Sequence, residues 1–259
     1  MNPRFFCPDG LLPASDMPLP SAVAHHAERV LRLAVGDPVT LFDGQGGECA
    51  ASILAFGKQP LARLGPRLAI ECESPLQITL VQALASGDKM DWIVQKAVEL
   101  GVAAVQPVAA ERSVLKLAGE RADKRVAHWQ QVAVAACEQS GRNRVPVVGE
   151  ILPLAKYLAR PFDGTRLILA PGADGALARK ARPGRPVAIL IGPEGGWSPA
   201  ELDLAARVCG GGGRFLSRSA HHSADGGGGE RGFEKTTAGK RGGRIHDGGG
   251  FENSGGIRR

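Results

Sequence analysis

Gly192, Gly195 and Gly196 surround Pro193 and Glu194 in the stretch Ile189–Leu202, ILIGPEGGWSPAEL. A backbone this bare serves either close approach by a ligand or a left-handed turn. The aliphatic residues before it read as a buried strand. After Trp197, Ser198 can cap a helix, with Pro199 at its first position and Glu201 three residues beyond the cap, the pattern of a capping box. Strand, glycine-rich loop and helix in that order put the loop at the carboxyl edge of a parallel sheet, where open α/β sheets bind ligands. The spacing is neither G-x-G-x-x-G nor G-x-x-x-x-G-K-[ST]; no lysine follows, and Glu194 would repel phosphates. A ligand with an adenine, a ribose and a positive centre, S-adenosylmethionine, fits better. A tight turn carrying a solvent-facing glutamate fits the residues as well.

A second cluster lies in Ala135–Pro146, AACEQSGRNRVP, where Glu138, Gln139, Arg142, Asn143 and Arg144 gather at a helix end. Such a group can hold a phosphate or a flipped base. It can equally cap the helix, since arginines are favourable at the negative end of the dipole. His25 and His26 open a helix with no cysteine or carboxylate at ligand spacing, so they read as surface residues and no metal is expected. Five cysteines, far apart and never in a C-x-x-C pair, argue against both a zinc site and a disulfide framework and fit a reducing compartment.

Positioning these groups needs two kinds of architecture. Residues 1–74 have the short apolar runs of a small β domain: Ala22–Leu33, Pro38–Phe42, Glu48–Ala55 and Arg67–Cys72, with a hairpin signal at Asp43–Gly47 and one helix around His25–Leu33. Pro75 marks the boundary. From there strands and helices alternate: Ile78–Leu84, a helix Lys89–Leu100 capped by Ser86-Gly87-Asp88, Val102–Val108, a helix Arg121–Gln139 stopped by Gly141, Arg166–Ala170 and Val187–Ile191. This is an α/β pattern with a mostly parallel sheet covered on both faces.

The net charge of +6 invites a nucleic-acid reading, but residues 210–259 hold nine Arg and Lys against five Asp and Glu, which is +4 and leaves +2 for the first 209. Bulk charge is therefore weak support for RNA binding. Seventeen of those last 50 residues are glycine and their apolar residues follow no period, so disorder is expected there. No apolar run approaches the roughly 20 residues of a membrane span. The start, MNPRFFCPDG, lacks a secretory pattern, and a cytoplasmic protein is expected.

The LIGPEGG stretch resembles the signature of the RsmE family, the 16S ribosomal RNA uracil-N3 methyltransferases of the SPOUT class. His26–Asp37, Leu41–Glu48, Lys89–Gly101, Glu111-Arg112-Ser113 and Ala135–Pro146 match the family in the same order, so the resemblance covers about residues 20–209. It implies a PUA-like β-barrel over 1–74, a trefoil-knotted α/β domain over 75–209, a homodimer, and 16S rRNA within the 30S subunit as substrate. It further implies that S-adenosylmethionine lies against Leu169, Pro171, Leu190, Ile191, Gly192, Gly195 and Gly196. RNA would meet His26, Arg29, Arg32, Lys89, Arg112, Arg142, Asn143 and Arg144.

After Val208 the resemblance stops. The family's L-G-x-R-I-L-R-x-E-T-A motif, which closes the knot and carries its proposed catalytic arginine, is not recognisable, so no catalytic residue is assigned. A frameshift near Gly210–Phe215, genuine or from sequencing error, would account for the glycine-rich tail. The alternative function is an RNA-binding protein whose catalysis is impaired by that loss.

Overall fold

Alternation of apolar residues builds the front of the chain into a five-stranded sheet. Its strands are β1 (Arg4–Phe6), β2 (Asp16–Pro18), β3 (Pro38–Phe42), β4 (Glu48–Ala55) and β5 (Leu61–Leu68), in the order β1-β3-β4-β5-β2. Between β2 and β3, helix α1 (Ser21–His25) widens into one π-helical turn, His26–Val30. All neighbours pair antiparallel except β1 with β3. In the β3–β4 hairpin Gly44, Gly46 and Gly47 all take positive φ. A Cβ at Gly47 would stand 2.7 Å from the Leu68 carbonyl, so this turn accepts no side chain there. Phe5, Val39, Leu41, Ile53 and Leu64 fill the interior.

The computed structural model describes residues 2–170 and 184–208 and the backbone of Arg214–Phe215; Pro171 and almost all of the glycine-rich tail lie outside them. One correction concerns the expected run Arg67–Cys72: the strand is Leu61–Leu68. Gly65-Pro66 reads as a break in sequence, but a shift of register between Cys49 and Ala51 lets β5 run through it.

The rest is a parallel sheet. In chain order come β6 (Ile78–Ala83), α2 (Lys89–Glu99), β7 (Ala104–Ala109), α3 (Glu120–Ser140), β8 (Val147–Val148), β9 (Leu152–Pro153), α4 (Leu154–Ala159), β10 (Thr165–Leu169), β11 (Val187–Ile191), α5 (Pro199–Val208) and β12 (Arg214–Phe215). The sheet runs β12-β10-β11-β6-β7-β8, with β9 also on β7, and every pairing is parallel. The short β12 falls in the tail expected to be without structure. α2 turns Met90, Val94, Ala97 and Val98 inward, and α3 turns Trp129, Ala133, Ala136 and Cys137 inward; together they cover one face. α4 and α5 cover the other, against Val81, Val108, Ile168, Ala188 and Leu190. α3 ends as expected at Gly141, left-handed at φ 79°, whose N–H donates to the Cys137 carbonyl.

Among the described residues nothing covers part of the first face. Beside α2 a cavity of 510 Å³ runs over the sheet, lined by Ile78, Leu80, Ile189 and Ile191. Trp92 and Leu100 on its helical side are 63% and 83% exposed.

The two sheets belong to one compact unit, joined by buried polar links. Arg142, 4% exposed, donates from Nη1 to the carbonyls of Val98 and Val102, both at 2.9 Å, and pairs through its remaining nitrogens with Glu73. Asn143, wholly buried, accepts from Arg4 at 2.6 Å and donates to Glu48 and to the Ile70 carbonyl. Arg4 also pairs with Glu48, across a ring contact with Phe42. Glu138 accepts from the Phe6 N–H at 3.0 Å. Replacing Arg142 by Ala removes the guanidinium from Glu73 and from two carbonyls, leaving Glu73 the Arg144 N–H and Val98 the Gly101 N–H. We expect a stability loss of about 3 kcal/mol in urea unfolding, with no rescue by Lys, whose point charge cannot reproduce the fork. A loss below about 1 kcal/mol would show that water replaces the guanidinium.

Candidate active site

Four strand ends meet at the carboxyl edge of the parallel sheet, and the glycine loop 192–198 is fastened among them. Trp197, buried, lays its ring across Gly192 and donates from Nε1 to the Leu169 carbonyl at 3.1 Å, tying the end of β11 to the end of β10. A Cβ on Gly192 would come within 3.2 Å of that nitrogen. Arg112, in the loop after β7, reaches the carbonyls of Gly195 and Trp197 at 3.3 and 3.4 Å, and a Cβ on Gly195 would be 3.2 Å from its own. Gly196 is bare for a different reason. Its φ is 68°, its N–H donates to the Pro193 carbonyl, and among the described residues a Cβ would meet nothing within 4 Å. So two of the glycines admit neighbouring side chains, and the third closes the turn and leaves open space before it.

The capping box forms as its spacing predicts: the Ser198 N–H donates to Glu201 Oε2 at 2.9 Å and the Glu201 N–H to Ser198 Oγ at 3.3 Å. The other Glu201 oxygen accepts from the Glu111 N–H at 2.8 Å, so the cap of α5 also holds the β7 loop.

Glu194 does not stand free in solvent. One of its oxygens accepts from the Ser86 N–H, the Ser86 hydroxyl and Lys89 Nζ, at 3.0, 2.8 and 3.0 Å. The Ser86 amide, with Lys89 and the Ser86 hydroxyl, holds its carboxyl down at about 2. Asp88, at the N-cap of α2, makes no side-chain cap bond, and of the expected Ser86-Gly87-Asp88 cap it is the Ser86 carbonyl that takes part, accepting from the Lys89 N–H at 3.3 Å.

Several expected contacts are placed differently. Leu190 is wholly buried against α4 and α5 because successive strand residues alternate faces, so Ile189 and Ile191 face the cavity and Leu190 does not. Leu169 and Ile191 remain half-buried at the strand ends. Arg142 and Asn143, expected at RNA, are turned into the junction between the two sheets, where their hydrogen bonds are used. Arg142 does not cap α3; its guanidinium holds the carbonyls of Val98, in the last turn of α2, and of Val102 just beyond it. Arg144 stays exposed, its guanidinium in a long pairing to Glu71 at 3.4 Å. His26, Arg29 and Arg32 are exposed on and after α1. Lys89 and Arg112 keep exposed side chains while holding the loop.

Sequence alone missed Trp197 and Glu201 as cross-links and Gln82 as a buried amide on the cavity wall. An amide inside the aliphatic run of β6 was the one available signal for Gln82. Burial pushes the Cys7 and Cys137 thiols up to about 12, consistent with inert packing groups. Among the described residues no group of three or more His, Cys, Asp or Glu could hold a metal ion, and no helix is long and apolar enough to cross a membrane.

Residues 72–211 match the model of an RNA methyltransferase domain, and residues 19–62 that of an RNA methyltransferase PUA domain. Ribosomal RNA small subunit methyltransferase E of Bacillus subtilis is 32% identical over 206 residues, 74% of this chain and 80% of that protein. The chain belongs to the RsmE family of RNA methyltransferases. A crystal structure of the RsmE protein of Neisseria gonorrhoeae bound to S-adenosyl methionine is 39% identical, with a TM-score of 0.76 over 83% of this chain and 88% of that one. A putative methyltransferase of Legionella pneumophila in complex with its cofactor SAM is 32% identical, with a TM-score of 0.77 over the same shares. This RsmE chain therefore has the α/β and PUA-like architecture that its sequence implies.

The Glu194 clamp has a defined pH dependence. Its carboxyl is held below its ordinary value of 4.5, so the stability it adds is complete above 4.5 and is lost as pH falls through about 2. The gap in melting temperature between the unaltered chain and Glu194→Gln should be full at neutral pH and shrink across that window. A gap that is the same at both ends would assign the clamp to shape rather than charge.

Proposed function

We propose that this protein transfers a methyl group from S-adenosylmethionine to N3 of a uridine in 16S ribosomal RNA, as a cytoplasmic homodimer acting on the 30S subunit. Family membership supports methylation of small-subunit ribosomal RNA with this cofactor; the uridine and its N3 come from the motif resemblance. Residues 1–74 would act as the RNA-binding part and 75–209 as the catalytic part, with a trefoil knot at the carboxyl edge of the sheet.

The observation that carries the reading is the glycine loop, braced by Trp197, Arg112 and Glu194 yet open in front of Gly196. Rigid backbone beside open space fits a ligand read by main-chain groups. Leu169, Ile191, Gly192 and Gly196 would hold the cofactor, while Pro171 lies outside the described residues. Glu194 and Lys89 neutralise each other, so the loop presents no uncompensated cation to a phosphate. When bound, the cofactor supplies a methyl group already activated on a sulfonium. This chain's residues then need to orient that methyl group in line with the attacking nitrogen and exclude water. No general base is assigned, because the family motif that would carry it is unrecognisable after Val208.

The open cavity beside α2 bears on activity. Ile189, Ile191, Trp92 and Leu100 offer an apolar face that a closing helix or a second subunit would cover. Residues 216–259 contain no amphipathic run able to do so.

Two measurements test the proposal together: isothermal titration with S-adenosylmethionine, and methyl transfer to 30S subunits. Gly196→Val, which forces a β-branched residue to φ 68°, should lose cofactor affinity by tenfold or more while the fold persists. Unchanged affinity would sink the loop assignment. The unaltered chain should be partly monomeric and weakly active, and replacing the sequence after Val208 by a continuous family-like one should restore dimerisation and methyl transfer. A fully active dimer without that replacement would show that the tail does not impair it.

A further inference from the structure

A second cavity lies far along the chain from the glycine loop, where the front sheet meets α3. Its volume is 330 Å³, at the small end of the roughly 300–1,000 Å³ of small-molecule sites. β1 contributes Phe6, α1 and the residues flanking it contribute Pro20, Val23 and His26, and α3 contributes Gln131, Val134 and Glu138. The walls are apolar and the three polar groups sit among them. One oxygen of Glu138 accepts from the Phe6 N–H. Among the described residues nothing hydrogen-bonds its other oxygen, the Gln131 amide or the ring nitrogens of His26. The His26 ring is held edge-on to Phe5, with centroids 5.8 Å apart.

We propose that this cavity receives one unpaired nucleobase of the RNA substrate, a subsite separate from the methyl-transfer centre; the proposal rests on the RNA methyltransferase reading above. Among the described residues no Arg or Lys lines the cavity, which disfavours a backbone phosphate there. An amide and a carboxyl beside a flat imidazole offer donors, acceptors and a stacking surface, the means by which proteins read the exposed edge of a splayed base. Burial pushes the Glu138 carboxyl up, against the Phe6 amide and the nearby His26 and Arg4. The exposed Arg29 and Arg32 on the same front domain can take the flanking backbone.

The test uses the full chain and a fluorescent single-stranded oligouridine of about twelve nucleotides, within the usual site sizes. Its binding is followed by anisotropy across a range of salt. Gln131→Ala removes a polar group, and Ala135→Trp, on an exposed position of α3, fills the cavity. Each should weaken binding roughly tenfold, the loss of one stacked or hydrogen-bonded base, without changing the log–log salt slope. Arg29→Ala should lower that slope by about 0.9 or less. Photocrosslinking with 4-thiouridine in the same oligonucleotide should give adducts in 20–26 and 131–138. Unaltered binding by both cavity variants, or adducts only elsewhere, overturns the subsite while methyl transfer to 30S subunits still upholds the enzyme. If the unaltered chain binds no oligouridine and methylates nothing, both readings fall together.

Discussion

Arg142 is the constraint on which the arrangement of the site depends. Its guanidinium takes the carbonyls at the end of α2 and the carboxylate of Glu73 in the connection between the two sheets. Bound this way it fixes α2 relative to both. The other end of α2 holds Lys89 and follows Ser86, and these are the partners of Glu194. The pose of the glycine loop is thus set at one end of a helix by an arginine buried at the other. A buried ion pair of this kind contributes little net stability over an apolar replacement. It does fix one geometry, because three acceptors converge on a planar group with five donors.

The architecture was legible wherever local pattern and tertiary demand agree. β6, β7, β10 and β11 came from aliphatic runs, α2 and α3 from their apolar spacing, and the β3–β4 turn from glycines that only a left-handed backbone requires. β1, β2, β8 and β9 were missed because two or three residues have no period to read, and their pairing is decided by partners far along the chain. β5 was misplaced because Gly65-Pro66 mimics a turn.

At the site, the capping box was readable because its partners are three residues apart. The roles of Arg112, Trp197 and Glu194 were not, since each is defined by an acceptor or donor some 28 to 108 residues away. The glycine loop taught a related lesson. Absence of side chains was read as room for a ligand, and at Gly192 and Gly195 the room is taken by Trp197 and Arg112. Arg142 and Asn143 looked like an RNA patch because charge in a loop is ambiguous until burial is known.

The sheet order sets a timetable for synthesis. β6 occupies the middle, yet β11, its partner on one side, lies more than a hundred residues further along the chain. While the intervening residues are being made, Ile78–Ala83 can pair only with β7 and must present its other edge bare. At some 5–20 residues per second, that interval is on the order of ten seconds. An aliphatic strand edge left open so long attracts wrong partners, including the same strand on a neighbouring nascent chain. Slow, long-range closure of this kind makes yield depend on what shields the edge during translation, so chaperone supply and growth temperature govern how much of the chain reaches its native form.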